Sequence, residues 1–154
     1  MKMHCTTPTA QVRQTMDEYS RRCLKAAMRD MAHLGEQCVS EARKNHTYKD
    51  QTGNLTSSVG YVLSNNGQVV SRSAFEAVTV TRKVKRKGKT ITVTSTGTEG
   101  AQDGKQYAER MARMLPGKTA IVVVAGMMYG KYVAARGYNV LDSALALARR
   151  KTSK

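Results

Sequence analysis

The sequence predicts an α+β fold, a small antiparallel sheet packed against a long N-terminal helix and shorter C-terminal helices. Three observations lead there. The first third places apolar residues at steps of three and four, the middle third alternates apolar and polar residues, and the last third returns to helical spacing around one apolar run. At 154 residues the chain has the length of one domain with a modest core. A single unit over 1–154 is therefore expected, with a basic β-hairpin arm at about 76–96 and a basic C-terminal tail at 149–154.

The long helix opens at Pro8 or Thr9, and nothing breaks its pattern before Asn45-His46. Met16, Tyr19, Cys23, Ala27, Met31, Leu34, Cys38 and Ala42 share one face. Such a helix runs about 50 Å, longer than a small domain needs, so it either spans the domain or projects to meet a neighbour. The Met- and Ala-rich stripe suits a core face, the preferred reading, or a subunit interface. Gly35 marks a bend or a close backbone approach.

In the middle third Val59, Tyr61 and Leu63 alternate before the turn Asn65-Asn66-Gly67, and Val69-Val70 resume the chain. A second pair of strands follows. Val78, Val80, Arg82 and Val84 alternate on one side of Lys87-Gly88-Lys89, and Ile91, Val93 and Ser95 on the other, with threonines filling the opposite face. The tip of this arm carries Arg82, Lys83, Lys85, Arg86, Lys87 and Lys89, with no acid between Glu76 and Glu99. Lysines protect a strand edge from unwanted pairing, but this number of cations also fits a partner-binding tip. Two strands bury little, so the arm should rest on the sheet or order against a partner.

A helix beginning at Asp103 or Gly104 carries Tyr107, Ala108, Met111 and Leu115 and stops at Pro116-Gly117. Thr119 to Ala125 reads as a buried strand. Tyr129, Tyr132 and Val133 then suit one face of a short helix, and Gly137 is placed to end it as a left-handed cap. Tyr129, Tyr132 and Tyr138 are expected to anchor this helix by burying their rings, although subunit boundaries use such residues as well. Asn139 or Asp142 opens a final helix with Leu141, Ala144, Leu145 and Ala148 on one face, and with Arg149, Arg150 and Lys151 where the helix dipole favours cations.

Catalytic and metal signatures are weak. Leu115-Pro116-Gly117-Lys118-Thr119 resembles the end of a phosphate-binding loop, but Ala112 holds the place of the first glycine. The order helix, loop, strand is also reversed, so the segment reads as a helix stop. His4 and Cys5 lack further ligands at finger-like spacing, and Cys23 and Cys38 sit on the apolar stripe as small hydrophobes. No nucleophile elbow is present. The expectation is a non-enzyme without cofactor or metal.

Charge gives an independent bound. The net charge of +15 and pI near 10.1 imply a polyanionic or acidic neighbour. Residues 1–50 carry 9 basic and 6 acidic side chains, 51–100 carry 7 and 2, and 101–154 carry 10 and 3, so the excess lies in the middle and last thirds. No apolar run approaches the roughly 20 residues of a membrane span, and the first residues lack the apolar stretch of a secretory signal. Three scattered cysteines suit a reducing cytosol.

Two blocks carry a family resemblance. One is Tyr48-Lys49-Asp50-Gln51-Thr52-Gly53-Asn54-Leu55-Thr56-Ser57-Ser58, leading into the first strand. The other is the strand ending at Ala125 followed by Tyr129-Gly130-Lys131-Tyr132-Val133 and Gly137. In this order they resemble the tail-completion and head–tail neck proteins of long-tailed bacteriophages, with Ala134 and Ala135 standing where that family often has an acid. The resemblance implies a virion protein assembled in the bacterial host cytoplasm. It further implies a sixfold ring of identical copies, joined to connector, tail-terminator or tail-tube proteins. The competing reading is a nucleic-acid-binding module that contacts phosphates through the basic arm and tail without reading sequence. Against it, the arm has no interleaved aromatics.

Overall fold

The computed structural model describes residues 8–86 and 88–153. His4, Cys5, Lys87 and Lys154 lie outside the described residues. Helix α1 (Thr9–Lys44) is followed by the single turn α2 (Asn54–Ser57) and by the strands β1 (Val59–Asn65) and β2 (Gln68–Arg72). Next come β3 (Thr79–Arg86) and β4 (Lys89–Thr96), then helix α3 (Thr98–Arg113) and strand β5 (Thr119–Ala125). Short helix α4 (Gly130–Ala135) and α5 (Asp142–Thr152) complete the chain, an α+β arrangement.

Strands β2, β1 and β5 form one antiparallel sheet with β1 in the middle. The β1–β2 turn has positive φ at both Asn66 (53°) and Gly67 (78°), the type I′ geometry whose twist matches the flanking strands. The odd-numbered side chains Val59, Tyr61 and Leu63 pack on the C-terminal half of α1 and on Ala144 of α5. On the other face Val62 packs with Phe75 and with Ala108 and Ala112 of α3. The alternation at 59, 61 and 63 had suggested a strand with one wet face, but helices cover both. Burying each Val or Leu here contributes about 1.5–3 kcal/mol, which makes β1 the centre of the fold. Gly35 is the close approach, since a Cβ there would stand 2.6 Å from the Tyr61 ring.

Several expectations need correction. β5 is the sheet's edge, and apart from Val124 it is not fully buried. Helix α3 begins at Thr98, five residues before Asp103, because Gly100 and Gly104 let its first turns press against the Asn54 and Ser58 backbone. Strands β3 and β4 pair only with each other, so the arm is a separate two-stranded ribbon. The long helix also projects. Residues 9–27 are exposed all round, with Met16 at 65% and Tyr19 at 70%, whereas the stripe is buried only towards Cys38 and Ala42. About 28 Å of helix therefore extends beyond the core. Thr152, expected to fray, closes α5.

Candidate assembly surface

The two blocks singled out in the sequence meet at one end of the molecule. After α1 the chain turns through Tyr48, whose ring is buried against Leu55 and Val140, with Met127 and Val133 packed beside them. The Tyr48 hydroxyl shares a hydrogen bond with Thr56 (3.2 Å), and His46 stacks on the Tyr48 ring. Burial pushes the hydroxyl above the ordinary tyrosine range, with the Thr56 hydrogen bond opposing.

Asp50 organises the loop. Its Oδ1 accepts from the Gly53 N–H (2.8 Å) and the Thr52 N–H (3.3 Å), and its Oδ2 accepts from the Thr56 N–H (2.8 Å). These N–H groups lead into or open α2 and have no partner inside so short a helix. Gly53 at φ 81° then turns the chain into α2. Ser57 carries the arm, because its Oγ accepts the Val78 N–H at 2.8 Å while donating to the Gly53 carbonyl at 2.6 Å.

Arg43 is a residue that the sequence pattern hid. It sits near the C-terminus of α1 among polar neighbours, yet its guanidinium donates to the Val59 carbonyl at 2.9 Å and ties helix to sheet. Burial lowers its pKa from the usual arginine value, opposed by Glu76 and Glu36. A lone arginine in a run of polar residues carries no sequence signal for this role.

Around this loop stand the tyrosines. Tyr129 lines one cleft with Asp50, Thr52 and Leu55, and a neighbouring cleft brings Tyr129, Tyr132, Tyr138, Arg136 and Gln51 together. The expected burial of their rings is not what the fold does. Tyr129 is 40%, Tyr132 62% and Tyr138 44% exposed. The physical reason is that α4 has only six residues, and Gly130 and Val133 rather than the tyrosines meet Leu55 and Tyr48. The Tyr129 hydroxyl is still pushed above its usual value, first by partial burial and then by Asp50. Lys131 places its ammonium 4.9 Å from the Tyr132 ring centroid, a cation–π contact. Gly137 has the expected left-handed backbone at φ 83°.

The arm rises beside this face. Its base is held by Val78, and Arg82 donates to Gln51 at 2.9 Å, joining arm and tyrosine surface. Lys83 and Lys85 share the threonine side, opposite Thr92 and Thr90, with Thr81 and Thr94 hydrogen-bonded below them. Arg86 pairs across the strands with Lys89 at the tip, two like charges side by side. The Arg72–Glu109 ion pair lies elsewhere, and among the described residues no acid is bridged to an arm cation. Arg149, Arg150 and Lys151 occupy the last turn of α5. No three His, Cys, Asp or Glu side chains converge among the described residues, and no described helix is long and apolar enough to cross a membrane. No family profile, characterised protein or solved structure matches the chain.

Proposed function

We propose that the chain is a structural, non-catalytic virion protein of a tailed bacteriophage. It forms a ring, sixfold by the resemblance, at the head–tail junction or the proximal tail end, and joins or completes the tail there. One observation carries the reading. The blocks at 48–58 and 125–137, far apart in sequence, pack into a single unit around Tyr48, Leu55 and Val133. Segments that make one surface belong to one function, and this surface presents exposed tyrosines, the residues that anchor protein interfaces. Connector, tail-terminator or tail-tube proteins are the expected neighbours. Assembly is in the host cytoplasm and residence in the virion.

The test removes the arm's charge. Changing Lys85, Arg86, Lys87 and Lys89 together to Ser should leave the circular dichroism spectrum unchanged, because the described members of that set are exposed. The same change should lower infectious yield, with finished heads and finished but unjoined tails visible by electron microscopy. Full yield from a folded variant would reduce the arm to edge protection. The second reading, non-specific nucleic-acid binding, is favoured by arm cations that no acid bridges among the described residues. A DNA affinity that falls steeply and linearly with log salt would support it.

A further inference from the structure

Two apolar surfaces stand uncovered on the described chain. The first is the ridge on the projecting half of α1, where Val12, Met16, Tyr19 and Cys23 follow at steps of four, three and four. That period of 3.5 is the one by which a helix keeps a seam towards a partner. The second is a groove of about 390 Å³ between α1, β5 and α5, lined by Leu34, Ile121, Val123, Leu141, Leu145 and Ala148. Leu145 on its wall is 51% exposed.

We propose that the ridge of one copy lies in the groove of the next. Charge supports this pairing over ridge against ridge. The ridge carries Asp17-Glu18, the only adjacent acids in the sequence, and the groove runs alongside α5, which ends in Arg149, Arg150 and Lys151. Ridge against ridge would instead line up copies of Arg13 and Arg22, which flank the seam with no acid at the equivalent positions. Because ridge and groove are different patches, the contact is head-to-tail, the kind that closes into a ring when the rotation permits. The proposal deepens the ring reading by naming its subunit contact, yet its test needs no virion.

Sedimentation velocity under reducing conditions, from low micromolar to sub-millimolar protein, reads the association. Wild type should associate with rising concentration. The ridge variant Met16→Asp/Tyr19→Asp and the groove variant Leu145→Asp should each associate more weakly by more than about tenfold. Mixed together they should form a one-to-one dimer and stop there, since one intact ridge meets one intact groove. Asp17→Arg/Glu18→Arg should weaken association likewise, and mixing it with Arg149→Glu/Arg150→Glu should restore it. Circular dichroism checks folding, and all substituted side chains but the flanking α5 arginines lie on the two surfaces tested. A groove variant that self-associates like wild type would overturn the proposal in favour of ridge-to-ridge pairing. Wild type that stays monomeric throughout, or variants that fail to complement, would overturn it outright. Loss of infectivity or its absence would not bear on these outcomes, so the two readings fail separately.

Discussion

Replacing Asp50 tests the hinge on which the whole surface depends. Its carboxylate accepts two hydrogen bonds at 2.8 Å through different oxygens and a third at 3.3 Å. A hydrogen bond to a charged group contributes about 1.5–3 kcal/mol net, and an orphaned buried donor costs about 1–3 kcal/mol. Thr56 is buried, so its N–H finds no water when the acceptor is lost. Asp50 itself is half-exposed, which lets solvent replace part of what the other two bonds contribute. Asp50→Ala should therefore destabilise by about 2–3 kcal/mol, a fall in Tm of about 4–12 °C for a chain of this length.

The isosteric Asp50→Asn separates this account from a packing effect. An amide keeps one acceptor and turns an NH2 group towards either the Gly53 or the Thr56 N–H, donor against donor. At least half of the alanine loss should remain. Thermal unfolding followed by circular dichroism measures both variants. An alanine variant melting within about 2 °C of wild type, or an asparagine variant indistinguishable from it, would refute the argument that paired oxygens hold α2.

Gly137→Val forces a β-branched residue to φ 83° in otherwise open space, so thermal unfolding should show a loss of about 1–3 kcal/mol from backbone strain alone. Gly100→Ala drives a methyl group onto the Asn54 carbonyl and should cost at least about 2 kcal/mol by the same assay, with α3 displaced from α2. For pH, the folded Tyr48 hydroxyl titrates above its unfolded value near 10, so its share of stability is full below that value and is lost as pH rises through the folded one. Tyr61 and Tyr129 shift in the same direction, so the melting temperature should decline in strong alkali, and Tyr48→Phe should flatten the decline without abolishing it.

Local chemistry was legible in the sequence, whereas covering was not. The ends of α1, the Asn66-Gly67 turn, the β3–β4 ribbon and the left-handed Gly137 follow from periodicity and from residues with restricted or unusual backbone freedom. Periodicity states which residues share a face and is silent about what lies against it. The stripe from Met16 to Ala42 is one continuous face, yet the sheet reaches only its second half. Tyr132 illustrates the converse, an aromatic at helical spacing on a helix too short to turn it inward. Helix α3 started early because glycine, a poor helix former, is tolerated where another backbone must come close. The roles of Asp50 and Arg43 depend on backbone groups brought together only by the fold, so no spacing rule could have exposed them.

What the chain leaves uncovered bears on how it works. A helix of about 19 residues is marginal in water by itself, and a two-stranded ribbon is scarcely stable alone. Both are here continuous with well-packed bases, α1 with the Cys38–Ala42 core and the ribbon with Ser57 and Val78, so the core bears the nucleation cost of each. Their far ends bury nothing within the chain, and the ribbon's tip sets Arg86 against Lys89 at an electrostatic cost. Extensions that gain no stability from their own chain gain it from another molecule. The two differ in kind: the helix ridge is apolar with a single acidic pair, while the ribbon is cationic and threonine-lined. One surface therefore suits a copy of the same chain and the other an acidic protein or nucleic acid. That division of labour fits a subunit that binds its own kind sideways and something else along the axis.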